Sequence, residues 1–172
     1  MTTTSAELLT DAFGRIREQV HEVLDGLTED DLAVRLDDRA NPVGWLVWHL
    51  TRIQDDHVAD AAGTEQVWSS GGWQQRLGLP YPKGATGYGQ SAAEVGAFKG
   101  VPAEALAGYH DAVHERTVEY LGGLSDPDLA RIVDRGWDPP VTLAVRLVSV
   151  ISDDLQHVGQ ADLVRGVIER RG

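Results

Sequence analysis

The sequence contains no cysteine. That excludes disulfides, thiolate metal sites and a thiol nucleophile carried by the protein, so any metal must take nitrogen and oxygen ligands. Basic residues are scarce beside acidic ones, 15 against 27, and the formal charge of −12 repels phosphate backbones and anionic lipid over most of the surface. Nucleic acid and membranes are therefore not the expected partners. No stretch approaches the roughly 18 consecutive apolar residues of a membrane span. The N-terminus, Met1-Thr2-Thr3-Thr4-Ser5, has neither the basic nor the apolar region of a signal peptide, so a cytoplasmic protein is expected. Phosphate loops, an H-E-x-x-H motif and a Ser-His-Asp order are also missing. With no internal repeat and no sustained strand alternation, the pattern leaves helices.

What is present fits a single domain over residues 1–172, with 42% hydrophobic content enough for a sizeable core. Leu8, Leu9, Ala12, Phe13, Ile16, Val20, Val23, Leu24 and Leu27 recur at helical spacing, predicting a first long helix from Ser5, its expected cap, to Leu27. His21 lies near that stripe and reads as structural or solvated. Thr28-Glu29-Asp30-Asp31 opens a short helix through Leu36. Asn41-Pro42, a capping side chain and a proline at the first helical position, begins a second long helix that stops at Gly63. His49 on it points where Trp45 and Ile53 point, and by itself reads as a core histidine. His57, eight residues on, is rotated to the flank.

Residues from Thr64 to about Val101 are broken by glycine and proline, with short helical pieces expected around Trp73 to Leu77 and from Ser91, which forms a capping box with Glu94. The aromatic residues Trp68, Trp73, Tyr81 and Tyr88 argue for packing, either as a structural cover or as a substrate lid. Pro102 opens a third long helix ending at Gly122-Gly123. His110 and His114 on it have the spacing of a two-ligand metal site, but lie at the border of the apolar stripe beside Asp111 and Glu115, a position that suits solvent. Ser125 caps a short turn. A fourth long helix follows Thr142, and its Gly159 and Gly166 predict close helix packing. Four long helices with one long crossover connection and short extra helices make an all-α four-helix bundle.

The fourth helix carries the most informative stretch, Asp153-Asp154-Leu155-Gln156-His157. Leu143, Leu147, Val150, Val158, Ala161, Val164 and Ile168 define an inward stripe, and Asp153 and His157 fall on or beside it. A buried carboxylate requires a partner or a metal, which points to a divalent ion with a third ligand from another helix. Asp154 also faces inward and could support or replace Asp153. Arg146 lies near the same face, either exposed or neutralising a carboxylate or an anionic substrate, and Asp56 is a candidate supporting group.

Gly44-Trp45-Leu46-Val47-Trp48-His49 together with Asp153-x-x-x-His157 resembles the DinB-like metal-binding bundles, over nearly the whole chain. The segments Asp154-Leu155-Gln156-His157-Val158-Gly159-Gln160-Ala161-Asp162 and Trp48-His49-Leu50 are most similar to the actinobacterial branch that includes mycothiol S-transferases. The resemblance implies that His49, Asp153 and His157 are the metal ligands. Related members place a further histidine where Gln160 stands, so no fourth protein ligand is expected. Two imidazoles and a carboxylate leave open coordination positions; zinc is favoured, while nickel, iron or manganese accept the same ligands. The resemblance implies mycothiol as thiol co-substrate and an electrophile as acceptor, a detoxification-type S-transfer with no catalytic residue beyond the ligands. A hydrolase or thiol-dependent isomerase on the same triad is the alternative, as is a non-enzymatic small-molecule-binding or stress protein. Such bundles often pair through long helices, so a homodimer is the expected assembly.

Overall fold

The computed structural model describes residues 3–171. Met1, Thr2 and Gly172 lie outside it, and with them part of the N-terminal segment read above as lacking signal-peptide character. Four long helices form the frame: α1 (Ser5–Leu24), α3 (Val43–Ala62), α7 (Ala103–Gly122) and α8 (Leu143–Glu169). The short α2 (Glu29–Ala33) follows α1, and α4 (Val67–Ser70), α5 (Trp73–Leu77) and α6 (Ala92–Val95) punctuate the crossover between α3 and α7. A small antiparallel hairpin, β1 (Ile132–Asp134) and β2 (Val141–Thr142), precedes α8. No helix among the described residues is long and apolar enough to cross a membrane.

The helix ends follow local chemistry, with shifts from the sequence expectation. Thr4, not Ser5, caps α1 through a reciprocal capping box with Glu7, and the helix stops at Leu24, with Asp25 as C-cap and Gly26 in the left-handed region. The short helix after Thr28 ends at Ala33 rather than Leu36. Pro42 and Pro102 occupy the capping positions, and their helices begin at Val43 and Ala103. The expected cap from Asn41 is therefore displaced, because Pro42 already has extended backbone angles. Gly63, left-handed, closes α3 by donating to Ala59 and Asp60.

Helix α3 is the axis of the core, buried along most of its length, and packs most extensively on α8. Thr51 meets His110, and further along Gln54 meets Thr117, so α3 and α7 run parallel as the long crossover requires. His49 meets His157 and His57 meets Arg146, so α3 and α8 run antiparallel. Burial of Leu46, Trp48, Leu50, Leu106, Leu147 and their neighbours supplies the main stabilisation, about 1.5–3 kcal/mol for each large side chain.

Close packing occurs at a different glycine from those expected. A Cβ on Gly159 would meet nothing within 4 Å, and one on Gly166 only the mobile end of Arg170 at 3.2 Å. Gly44 is the tight position: a Cβ there would lie 2.3 Å from the Phe98 ring and 3.0 Å from the Leu32 carbonyl, where the crossover and α2 press on α3.

Candidate metal centre

His49, Asp153 and His157 come together where α3 crosses α8, each offering one ligand atom, with all three atoms within 4.8 Å of one another. The chain presets both imidazoles. His49 stacks on Trp45, one turn earlier, with ring centroids 4.7 Å apart and planes 17° from parallel. Its Nδ1 donates to the Thr86 carbonyl at 2.6 Å, which leaves the Nε2 lone pair free. Burial pushes its pKa below the usual value, so His49 is neutral at pH 7 and able to ligate. His157 Nδ1 donates to the Gln160 side-chain oxygen at 2.9 Å, again freeing Nε2, which lies 3.7 Å from Asp153 Oδ1. The His49 and His157 rings meet edge to face at 4.8 Å.

Asp153 supplies a direct test of the donor set. Its Oδ2 is buried and has no hydrogen-bond partner. An orphaned carboxylate oxygen beside two imidazole lone pairs is the arrangement a divalent cation satisfies, so these residues fit a metal. Asp154 has another fate. Fully buried, with both oxygens unpartnered, its carboxyl is pushed well above the usual range, chiefly by burial and then by the neighbouring Asp153 charge. It is not among the converging groups.

The crossover places Thr86. Gly87, at φ +95°, is required there: a Cβ would stand 2.6 Å from His49 Nδ1 and 3.0 Å from the Trp45 ring. A buried network that the sequence did not single out ties the crossover to α3. Asp55 accepts from the backbone N–H groups of Val67 and Trp68 at 2.8 and 2.7 Å and from the Tyr109 hydroxyl at 2.8 Å. Arg52, fully buried, donates to Ala85 O and Gln66 Oε1, and its guanidinium lies 5.1 Å from the Trp68 ring centre. An acid and a base three apart, Arg52 and Asp55, on one helix were the available signal. The Thr86 carbonyl carried none, since any residue supplies one.

Most of the crossover aromatics form a structural cover: Trp68, Trp73 and Tyr81 are buried. Tyr88 departs from that expectation, at 89% exposed. Arg146 neutralises Asp134 of β1, with Nη2 donating at 2.9 Å, and its Nη1 lies 3.4 Å from His57 Nδ1. Burial, then the Arg146 charge, lowers the His57 pKa. Asp56 accepts from Gln66 at 2.7 Å, so it braces the crossover. None of these three belongs to the converging group.

The second histidine pair differs from expectation. His110 is fully buried, not solvated at the stripe border, because α1 packs over that side of α7. Its Nδ1 lies 3.1 Å from Thr51 Oγ1, its Nε2 has no partner, and burial pushes its pKa down to about 3. Asp111 is taken by Arg17 at 2.6 Å and by His21 at 2.8 Å. His110 and His114 therefore lack a third converging ligand among the described residues.

Comparison with known proteins agrees with this architecture. No curated protein matches the sequence. A conserved protein from Enterococcus faecalis has a similar structure, with a TM-score of 0.90 at 26% identity, covering 97% of this chain and 98% of that one. A DinB-like protein from Bacillus cereus has a TM-score of 0.60 at 20% identity, covering 95% and 92%; it shows the DinB-like fold. A family model described as mycothiol S-transferase matches residues 8–170. With the match running from the first turn of α1 past the end of α8, the chain belongs to the mycothiol S-transferase family.

Proposed function

We propose that this protein is a metal-dependent S-transferase that joins mycothiol to electrophilic small molecules, with His49, Asp153 and His157 holding one divalent ion. The observation that carries this is the convergence of two free Nε2 lone pairs with a buried, unpartnered carboxylate oxygen. Membership of the family supports the thiol assignment, and the lack of any cysteine requires the thiol to come from outside the chain. A bound divalent ion, zinc first among candidates, supplies Lewis acidity that lowers the pKa of a coordinated thiol or water. The protein's own part is orientation. Thr86 and Gln160 fix the imidazole tautomers, Trp45 holds the His49 ring flat, and Gly87 lets the crossover close over it. In the reaction the thiolate sulfur forms a bond to the electrophilic carbon, the leaving group departs with its electron pair, and the thiol proton passes to water.

The test is metal content by elemental analysis after chelator-free purification, followed by conjugation assays with mycothiol and a panel of electrophiles. About one equivalent of metal per chain is expected, with product formation that requires it. A chain that stays empty after incubation with zinc, nickel and manganese overturns the metal site. A loaded chain that hydrolyses its substrates with no thiol dependence moves the assignment to metal-water chemistry.

A further inference from the structure

A recess of about 150 Å³ opens between α3, α7 and the start of the crossover, and none of its lining residues belongs to the triad. Its walls are largely buried. Val58, Ala59, Val67 and Val113 supply the apolar part, and Asp55 and Thr117, at 3% and 0% exposed, supply buried polar groups. A cavity of this size holds a guest of about six heavy atoms.

The valences left open around it are acceptors. Gln54, fully buried, donates from Nε2 to Thr117 Oγ1 at 2.8 Å, while its Oε1 has no partner among the described residues. Thr117 gives its own hydroxyl proton to the Val113 carbonyl. Asp55 Oδ1 takes one bond, from the Val67 N–H at 2.8 Å, and a carboxylate oxygen can accept a second. Where the recess meets solvent stand Glu65 and Glu119, both exposed. Arg52 offsets Asp55 and Arg116 offsets Glu119, which leaves the charge of Glu65 over. An anion would meet spare acceptors and a negative rim. An ammonium group brings three donors and no acceptor, and the valine walls suit a short aliphatic body.

We infer that this recess is an effector site for a small aliphatic ammonium ion, and that its occupancy tightens metal binding at the triad. The site stands by itself; only the linkage rests on the metal reading above. Contacts run from one to the other. Val67 begins α4 and its N–H is held by Asp55, so a guest seated against both Val67 and Val113 favours the crossover docked on the long helices. Arg52, beside Asp55, donates to the Ala85 carbonyl at 3.1 Å, and the carbonyl of the next residue, Thr86, accepts from His49 at 2.6 Å. A guest that holds the crossover down thus holds His49 in the tautomer a metal needs. Metal binding must then favour the guest by the same factor.

The experiment is titration of the full chain with n-butylammonium, followed by NMR of the valine methyl groups, first without metal and then with zinc. Millimolar binding is expected, with the largest shifts at Val58, Val67 and Val113, about fivefold weaker binding of 1-butanol and none of butyrate. Ala62→Leu, which fills the recess from the end of α3, should abolish binding. Glu65→Gln, at an exposed position, should weaken it about two- to fivefold, with helicity unchanged in both variants. Zinc affinity, read by chelator competition at saturating butylammonium, should rise about fivefold in the wild type and stay constant in Ala62→Leu, which separates the linkage from any direct contact of amine with zinc. No binding, shifts centred elsewhere, or equal binding of 1-butanol or butyrate overturns the site. Butylammonium binding with unchanged zinc affinity overturns the effector role. A chain that takes no metal while its recess still binds butylammonium loses the metal reading and the linkage but keeps the site, so the two readings fail apart.

Discussion

Helix α8 carries Asp153 and His157, and helix α7 carries His110 and His114, two pairs of metal-ligating residues at the same four-residue spacing. Among the described residues, only the first pair converges with a third candidate ligand. The difference lies in what the neighbouring helices present. His157 faces His49, whose ring is already turned by Thr86 and Trp45, whereas His110 faces Thr51 and sits beside an aspartate taken by Arg17 and His21. Spacing puts two side chains on one face; an ion site also needs free lone pairs and a partner across the seam.

The largest expected effect comes from removing that partner. His49→Ala should abolish stoichiometric metal binding, a loss beyond the roughly 10–100-fold that follows removal of an outer partner. Elemental analysis beside a competitive chelator titration measures it, with far-ultraviolet circular dichroism to show that the helices remain. The matching change on α7, His114→Ala, should leave metal content untouched. Metal lost equally from both variants would break the comparison.

Gly87→Ala comes next. The added methyl would stand 2.6 Å from His49 Nδ1 in a backbone conformation, φ +95°, that side chains rarely adopt. The crossover must withdraw, taking the Thr86 carbonyl with it, and metal affinity should fall by about 10–100-fold while His49 itself is intact. Retained affinity in this variant would mean that Thr86 does not set the tautomer.

The bundle and its candidate metal centre were legible in the sequence to different depths. The four long helices followed from apolar spacing, capping boxes and the glycine after Ala62, all of which are local signals. Asp153 and His157 stood out because polar groups on an apolar stripe need a reason, but His49 alone looked like an ordinary core histidine and gained its role only through family resemblance. Thr86 was invisible because it acts through a backbone carbonyl. Asp154 could not be separated from Asp153 by sequence, since a helix turns only about 100° between them and burial on either face depends on which helix is opposite. The same cause misplaced His110: its exposure is decided by α1 packing over it, a tertiary fact.

His110 gives the α7 pair its own signature in acid. Its pKa in the folded chain, about 3, lies below the unfolded value of about 6.5. Between these values the unfolded chain binds a proton that the folded chain refuses, so stability falls as pH drops through that window, by up to about 1.4 kcal/mol per pH unit. His110→Gln removes this contribution. Urea unfolding from about pH 7 to about pH 4.5 should show the wild type losing more stability than the variant, whatever their difference at neutrality. A constant difference across that range would mean that His110 is protonated in the folded chain.

The smallest effect probes the far nitrogen of His157. Its Nδ1 donates to Gln160, while His114 Nδ1, buried, has no partner at all. Gln160→Ala therefore makes the α8 histidine resemble the α7 one while leaving all three ligands in place. The lost bond is to an exposed neutral amide, on the order of 1 kcal/mol, so metal affinity should weaken less than tenfold. Restoring an acceptor with Gln160→Glu should recover it, because a carboxylate at the same reach takes the same N–H and raises the basicity of the ring. Chelator competition distinguishes the two variants. Equal affinity in both would show that the α3/α8 packing alone orients His157, and that the helix seam rather than the hydrogen bond separates the candidate metal centre from the pair on α7.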